Sequence, residues 1–331
     1  MSKKNILFIN GIPDSKKSTV NSIDKNGEIQ WKGSGSTNLV DFLESDLFSR
    51  SIVVFDTNSQ NNIPKQTINA VFNQIADPDT HKITLSKVED FYKKVSPYVS
   101  FFNPPSLIMQ TTRDNISKML QGIEKLHVPK TVKIQPRSPF DIYAMIKKEG
   151  FSYPIIFRQA GDHGGVSTIK VDNETEQFYA FALDGRDYYL TQYVDCSQDS
   201  IYSKYRLVVV DGDVFIRHAI FSDNWIIHSE SRQYMKKNTK CQTQEKDILK
   251  SFDSAIKPKI KDVIQEIYNR LQLDYFGIDC NIDKDMNILV FEINANMNVL
   301  INNSREENNP WTKQMDQIKQ AIIKMIMKDK K

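Results

Sequence analysis

The stretch Phe291-Glu292-Ile293-Asn294 decides how this chain is interpreted, together with Gly277-Ile278-Asp279-Cys280 upstream of it. In both segments β-branched and aromatic residues alternate with polar ones, which is typical of β-strands. The residues between them, Asp283-Lys284-Asp285-Met286-Asn287, favour a turn. A hairpin with its centre in that turn places Asp279 directly opposite Glu292.

Asp279, Glu292 and Asn294 would then present two carboxylates and an amide oxygen on one face, because side chains alternate along a strand. Like charges that face each other across two strands repel, so this pair is unfavourable without a cation. All three groups are oxygen ligands of the kind that holds Mg²⁺ beside substrate phosphates. The hairpin therefore predicts the metal-binding floor of a nucleotide site; the alternative is a solvated hairpin end with incidental acids.

Composition limits the class of protein. The 331 residues can hold two domains, or one domain with lobes, and 40% hydrophobic and 26% charged residues are ordinary for a globular chain. A formal net charge of +3 is too small to predict a nucleic-acid partner. The 3 cysteines form no CxxC pair, which argues against a zinc site or a disulfide framework. No stretch approaches the ~20 apolar residues of a membrane span, so we expect a cytoplasmic protein without a membrane partner.

Short strands alternate with helical stretches over the first ~100 residues, a domain-sized length, which predicts a small α/β layer. Asn103-Pro104-Pro105 interrupts this pattern and marks a boundary. Thr112 then begins a predicted helix whose apolar residues keep helical spacing as far as Leu126. A strand ends at Arg158 and opens a glycine-rich loop, and Asp211-Gly212 predicts a later hairpin turn. Two further helices are predicted from apolar spacing, one with Ile260, Val263, Ile264, Ile267 and Leu271 and the other with Ile318, Ile322, Met325 and Ile326.

The order of these features resembles the ATP-grasp superfamily of carboxylate–amine ligases, which includes glutamate ligases, glutathione synthetases and D-alanine–D-alanine ligases. The resemblance covers roughly residues 112–299, and its most specific part is Asp279 followed 13 residues later by Glu292-x-Asn294. It implies an α/β fold class with α+β lobes. A pre-ATP-grasp α/β domain would cover residues 1–105, a central lobe with the phosphate loop 106–190, and a C-terminal lobe with the metal site 191–331.

The resemblance also implies roles for individual residues. ATP would bind between the two lobes, and Mg²⁺, expected as two ions, would be held by Asp279, Glu292 and Asn294. Arg206 and Arg217 are the candidate catalytic residues, close to the transferred phosphoryl group. The nucleotide-binding candidates are Arg113 in the first helix, Arg158 at the strand end, Gly161, His163, Gly164, Gly165, Val166 and Ser167 in the phosphate loop, and Gln192, Tyr193, Val194 and Asp199 at a hinge for adenine and ribose.

Some positions leave alternatives open or depart from the family pattern. Arg158 and Asn115 stand where such proteins usually have lysines. At position 158 an arginine would bind phosphate as a two-pronged fork, where a lysine would supply a point charge. Arg217 and His218 are neighbours on one strand, so regular alternation lets one of them face the cleft. Asp195 is an alternative to Asp199 for the ribose.

The family's chemistry joins a carboxylate to an amine through an acyl phosphate and releases ADP and phosphate. It depends on positioning and charge neutralisation and needs no enzyme nucleophile. The resemblance thus implies a C–N ligase acting on a small molecule, an amino acid or a peptide, with peptide modification as one form. Two alternatives stay open: an ATP-grasp kinase acting on a small molecule, and a nucleotide-binding protein without turnover. For the oligomeric state of the protein, the form that we consider is a homodimer.

Overall fold

The computed structural model describes residues 3–17, 19–23, 27, 29–32, 35–37, 39–43, 46–59, 67–162, 165, 167–174, 178–228, 230–298 and 311–328. The strands are β1 (Lys4–Gly11), β2 (Thr19–Ile23), β3 (Ile29–Lys32), β4 (Phe48–Phe55), β5 (Ala70–Asn73), β6 (Ser100–Phe102), β7 (Leu126–His127), β8 (Thr131–Ile134), β9 (Ile155–Gln159), β10 (Ile169–Val171), β11 (Tyr188–Gln192), β12 (Tyr202–Val210), β13 (Asp213–Ser222), β14 (Tyr275–Ile282) and β15 (Ile288–Ala295). The α-helices are α1 (Leu39–Phe42), α2 (Lys82–Val95), α3 (Pro105–Met109), α4 (Arg113–Met119), α5 (Pro139–Glu149), α6 (Ser231–Lys236), α7 (Thr239–Ser251), α8 (Lys257–Leu271) and α9 (Thr312–Met327), with a 3₁₀ turn at Phe178–Ala180 and a π-helical turn at Phe252–Ile256 between α7 and α8.

The N-terminal sheet is parallel, with the strand order β4-β1-β5-β6. Its central strand β1 contains the apolar run Ile6-Leu7-Phe8-Ile9, which is buried at all four positions. Such a run is typical of a strand covered on both faces, and here Leu7 and Ile9 pack into one hydrophobic core while Ile6 and Phe8 pack into another. The loop from Gln74 to His81 follows β5 at the carboxyl edge of this sheet, the edge at which open α/β sheets bind ligands.

The central sheet is antiparallel, in the order β10-β9-β11-β8. Helix α5 covers it through Ile142 and Ile146. The helix begins with a capping box between Ser138 and Asp141 and ends at Gly150, whose φ of +66° is readily adopted by glycine. This sheet forms one wall of the cleft described below.

The C-terminal sheet has the order β13-β12-β14-β15-β7, antiparallel except for the short edge strand β7. Strand β14 is buried along its whole length. The predicted apolar faces of the two late helices are confirmed, since their residues are buried in α8 and in α9. The predicted hairpin turn at Asp211-Gly212 joins β12 to β13, with both residues at positive φ.

A buried polar network fastens the N-terminal sheet to β14. The side chain of Asn103, which follows β6, donates to the carbonyl of Tyr275 (2.7 Å) and to Oδ1 of Asn296 (2.6 Å), and it accepts from the amide of Tyr275 (3.0 Å). Asn296 in turn donates to the carbonyl of Ile75 (2.8 Å). The hairpin of β14 and β15 is thus held in a fixed position relative to the N-terminal sheet.

The helix predicted to run from Thr112 to Leu126 is shorter than expected. Helix α4 ends at Met119, because the chain turns at Gly122 (φ +77°), and Leu126 pairs with β15 as part of β7. The apolar residues beyond Met119 are buried by this turn and strand and not by a longer helix. Among the described residues, no helix is both long enough and apolar enough to cross a membrane.

Candidate functional site

A cavity of about 400 Å³ lies between the central and C-terminal sheets, a volume within the range of small-molecule sites. Six of the twelve predicted nucleotide-binding residues line it, namely Arg113, Arg158, Gly165, Gln192, Tyr193 and Val194. Its lining includes Arg113, Ile156, Arg158, Gly165, Thr191, Gln192, Tyr193, Val194, Cys196, Tyr202, Lys204, Arg206, Trp225, Ile227, His228, Asp279, Phe291 and Glu292. Asn294 and Gly161 line a small adjoining cavity that shares Arg113, Arg158 and Glu292 with the first.

The hairpin at the floor of the cavity has the predicted pairing of Asp279 with Glu292, which a register shift between Asp279 and Cys280 produces, since Cys280 lies opposite Val290. Asp279 of β14 lies opposite Glu292 of β15, and Asn294 lies opposite Gly277. Asp279 is buried, whereas Glu292 and Asn294 are partly exposed on the same face of β15. The carboxylate pairing inferred from the sequence is therefore confirmed as backbone geometry.

Arg206 of β12 binds Asp279 as a two-pronged ion pair. Its Nε and Nη2 atoms each lie 2.8 Å from a carboxylate oxygen, and Arg206 and Asp279 are direct partners across the two strands. Lys204 adds a second cation at 3.3 Å. Burial alone would raise the pKa of Asp279, but the charges of Arg206 and Lys204 outweigh it and hold the pKa well below its usual value.

Arg113 binds the other carboxylate of the hairpin. Its Nη2 lies 2.6 Å from Oε1 of Glu292, and its Nη1 donates to the carbonyl of Phe291 at 3.1 Å. Arg113 is the first residue of α4, so the short helix directs this side chain at the hairpin. Each of the two carboxylates therefore has a guanidinium as a direct partner.

Arg158 is the penultimate residue of β9, which ends one residue later than predicted, at Gln159, and precedes the predicted phosphate loop. Its Nη2 donates to the carbonyl of Asp162, and its buried Nε has no hydrogen-bond partner among the described residues. Burial and the neighbouring charge of Arg113 lower the pKa of Arg158 to about 10. The side chain is therefore still protonated at neutral pH, and it is a desolvated cation facing a cavity.

The rest of the phosphate loop is described only in part. Gly161 has a φ of +79°, Gly165 lines the cavity, and the hydroxyl of Ser167 accepts from the amide of Gln159 at 3.2 Å. His163, Gly164 and Val166 lie outside the described residues.

Two of the predicted hinge residues, Tyr193 and Val194, form an aromatic and apolar part of the lining together with Trp225. The rings of Tyr193 and Trp225 meet edge to face with centroids 5.9 Å apart. The side chain of Gln192 is held by the backbone of Ser152, donating to its carbonyl at 2.7 Å and accepting from its amide at 3.1 Å. Asp199 is exposed and lies outside the cavity lining, so its role at the ribose stays a prediction.

The regular alternation expected for Arg217 and His218 is wrong. The register between β12 and β13 shifts after Arg206, so that Arg206 lies opposite His218, Leu207 lies opposite Ile216, and Arg217 is the extra residue of a β-bulge. Arg217 is buried outside the cavity lining, and burial together with the charges of Arg232 and Arg206 lowers its pKa to about 10. Arg217 lies close enough to Arg206 for their charges to interact, and burial together with the charge of Arg206 lowers the pKa of His218 well below its usual value.

Lys204 is a functional candidate that the sequence reasoning missed. It lies two residues before Arg206 on β12, so the two side chains share a face, and both approach Asp279. Residues two apart on a strand share a face, and the rule that placed Glu292 beside Asn294 would also have placed Lys204 beside Arg206.

The donor set of the hairpin is suited to Mg²⁺, because two carboxylates and an amide supply oxygen atoms beside a polar cavity. Within the described ranges, no cluster of three or more His, Cys, Asp or Glu side chains is arranged to hold a metal ion. The predicted set contains two such residues and an asparagine, so metal binding at this hairpin stays a prediction.

No protein-family model and no curated protein matches the chain. Solved structures match over nearly its full length. The VanG D-Ala:D-Ser ligase from Enterococcus faecalis has a TM-score of 0.58 at 12% identity, covering 98% of this chain and 100% of that one. The D-alanine–D-alanine ligase from Bacillus anthracis, solved with ATP, has a TM-score of 0.53 at 12% identity, with 99% and 96% covered.

The ATP-grasp ligase PsnB, solved with a variant of its minimal precursor, Mg and ADP, has a TM-score of 0.50 at 14% identity, with 98% of each chain covered. At these identities the similarity establishes the fold. The fold that the sequence resemblance implies and the predicted α/β class are both confirmed: the chain has the fold of the ATP-grasp ligases.

Proposed function

We propose that this protein is an ADP-forming, ATP-dependent carboxylate–amine ligase. The observation that carries the proposal is the cleft between the central and C-terminal sheets, where Arg113, Arg158, Lys204 and Arg206 surround a facing pair of carboxylates. The apolar and aromatic lining near Trp225 suits a purine, and the cations suit a triphosphate. The B. anthracis ligase, which shares the fold, was solved with ATP.

Arginine forks would hold the phosphates. Arg158 is already desolvated and directed into the cavity, so it loses little hydration when a phosphate oxygen replaces its missing partner. Lys204 adds a point charge on the same side as Arg206. Mg²⁺, held by Asp279, Glu292 and Asn294 and expected as two ions, would supply further charge neutralisation at the phosphates when bound.

Arg206, which lines the cavity, is the proposed catalytic arginine. Arg217, the other candidate, is buried outside the cavity lining, and we propose that it acts only through its charge near Arg206. A substrate carboxylate oxygen attacks the γ-phosphorus of ATP, and ADP leaves as the acyl phosphate forms. The nitrogen of an amine then attacks the acyl carbon, phosphate leaves, and the amine gives up a proton to yield the amide. Both steps spread negative charge over oxygen atoms, and preorganised guanidinium groups stabilise such charge without rearrangement.

Two arginines near the bulge, which lie outside the cavity lining, add positive charge near Arg206. Arg217 and Arg232 lie over the ring of Trp311, with guanidinium carbons 5.5 and 4.6 Å from its centroid. Glu245 accepts from Arg232 at 2.5 Å and from the indole nitrogen of Trp311 at 3.0 Å. This arrangement orients buried positive charge beside Arg206. We propose an amino acid or a peptide as the acceptor; PsnB, of the same fold, was solved with a precursor variant.

The test is to incubate the protein with ATP, Mg²⁺ and a mixture of amino acids and short peptides, and to follow ADP, phosphate and product mass. A ligase releases ADP and phosphate with a condensed product. A product heavier by one phosphate would instead indicate a kinase, and the absence of ADP would indicate nucleotide binding without turnover. Glu292→Gln should reduce the signal by about 10²-fold or more, whereas Glu266→Gln is a matched control, since Glu266 pairs with Arg270 on α8 and lines neither cavity of the cleft.

A further inference from the structure

We propose that Asp79 is a positioning residue that fastens the central sheet to the N-terminal domain and so holds Arg158 in the cleft. The effect on ATP binding rests on the function proposed above, whereas the effect on the central sheet does not. Asp79 belongs to the loop from Gln74 to His81, at the carboxyl edge of the N-terminal sheet.

Asp79 joins two strands of the central sheet. Its carboxylate accepts from the hydroxyl of Tyr189 at 2.8 and 2.9 Å and from the ammonium group of Lys133 at 2.6 Å. The Asp79 side chain is 11% exposed, so this is a largely desolvated ion pair. Its partners lie 54 and 110 residues further along the chain, which makes the contact a bond between domains.

The strand register connects these partners to the phosphate site. Tyr189 of β11 lies directly opposite Lys133 of β8 on one side and opposite Arg158 of β9 on the other. Directly opposed residues share a face of the sheet, so Lys133, Tyr189 and Arg158 form one transverse row. Asp79 binds two members of this row, and the third is the desolvated cation of the cleft.

Tyr189 depends on this carboxylate. It is 1% exposed, and burial followed by the charge of Asp79 raises the pKa of its hydroxyl, which therefore remains a donor. A buried hydroxyl that loses its partner is costly, and without Asp79 the row is expected to move toward water.

A second contact brings the loop from Gln74 to His81 against Gly161, at the start of the predicted phosphate loop. A Cβ atom added to Gly161 would lie 2.6 Å from Cγ2 of Thr80, and the φ of Gly161 is +79°. The close approach therefore requires glycine. Asp77 and Asp79 also line the small cavity shared by Arg158, Gly161 and Asn294. The loop thus touches the central sheet both at the row and at the turn after Arg158.

Asp79 is itself held firmly. Its amide donates to Oδ1 of Asp77 at 2.9 Å, and Oδ2 of Asp77 accepts from the hydroxyl of Thr80 at 2.8 Å. A rigid loop can fix the position of a sheet, whereas a loose one would follow it.

The test is hydrogen exchange of the full-length, nucleotide-free protein followed by mass spectrometry. In Asp79→Ala, amides of β9 and β11 should exchange at least about tenfold faster, while those of β1 and β14 keep their wild-type rates, because a lost charged hydrogen bond changes the local opening equilibrium by that factor or more. Asp79→Asn should show a smaller change, since an amide oxygen still accepts from Tyr189. The matched control is Asp187→Asn, because Asp187 lies 4.0 Å from Lys133 but is more exposed.

A double variant, Asp79→Ala with Tyr189→Phe, should exchange no faster than Asp79→Ala alone, since the hydroxyl that lost its partner is removed. Unchanged exchange in the central sheet, or an equal increase across all sheets, would overturn the proposal. Calorimetry with ATP supplies the functional readout, and affinity should fall about tenfold in Asp79→Ala. Faster exchange with unaltered ATP affinity would overturn the positioning role, and wild-type protein that binds no ATP would refute the proposed function while leaving the exchange result to judge the fastening.

Discussion

Replacing Arg206 by methionine should destabilise the protein and also stop turnover, and the two effects can be separated. Asp279 is 3% exposed, and Arg206 binds both of its oxygens at 2.8 Å. Removing one partner of a buried pair costs about 3–5 kcal/mol, because the other charge is left buried and unpaired. Arg206 is a quarter exposed and Lys204 remains at 3.3 Å, so we expect a loss of roughly 2–3 kcal/mol in the free energy of unfolding.

Urea unfolding of three variants measures this loss. Arg206→Met with Asp279→Asn should recover most of it, because no buried carboxylate remains unpaired. Arg206→Lys should recover about half on the same reasoning, because one point charge replaces a two-pronged fork. The penalty should also depend on pH. The pKa of Asp279 is lowered by folding from an unfolded value near 3.8, so the stabilisation is complete above that pH and is lost as the pH falls below it.

Catalysis is measured on the same variants as the single-turnover rate per folded molecule. If Arg206 acts mainly in the transition state, Arg206→Met lowers this rate far more than it lowers ATP affinity. A destabilised but fully active Arg206→Met would refute the catalytic assignment. Undiminished stability at neutral pH would refute the reasoning from the buried ion pair.

Three further outcomes are expected at other positions. Glu292→Gln should retain the fold but reduce turnover by about 10²-fold or more, and a Mg²⁺ titration identical to that of the wild type would contradict the metal assignment. Lys204→Met should weaken ATP binding about tenfold by calorimetry, since ~1.4 kcal/mol is a reasonable loss for one partly buried cation; unchanged affinity would place the phosphates elsewhere. Asn103→Ala should lower the free energy of unfolding by about 3 kcal/mol or more, because it removes the acceptor of the buried Tyr275 amide and the donor to Oδ1 of Asn296, and a change below about 1 kcal/mol would show that the network is dispensable.

The sequence predicts best what depends on neighbouring residues. The turn between β14 and β15 and the alternation along each strand are local, and the predicted position of Asp279 opposite Glu292 is confirmed, but it depends on a register shift after Asp279 that the sequence prediction did not include. The helix that begins after Thr112 was predicted too long, because the spacing of apolar residues does not reveal that Leu126 pairs with β15. Burial by a strand and burial by a helix leave similar apolar patterns over a short stretch.

Contacts between distant segments could not be predicted in this way. The bulge at Arg217 is a shift in the register of β12 and β13 beside Arg206. That register depends on how both strands pair, which the sequence near Arg217 does not show. Likewise nothing near Asp79 in the sequence indicates a bond to Tyr189, since the partner lies 110 residues away in another sheet. Such contacts arise from how domains pack.

The charges of the cleft explain why stability and function overlap in this chain. A buried carboxylate such as Asp279 is tolerated in the ligand-free protein because Arg206 and Lys204 neutralise it, and Arg113 does the same for Glu292. The same cations are the groups proposed to bind phosphate. A substitution at any of them therefore changes two quantities, the free energy of folding and the affinity for an anion. A loss of activity alone cannot assign a role here, and paired variants that restore charge balance without restoring the fork are required to tell the two contributions apart.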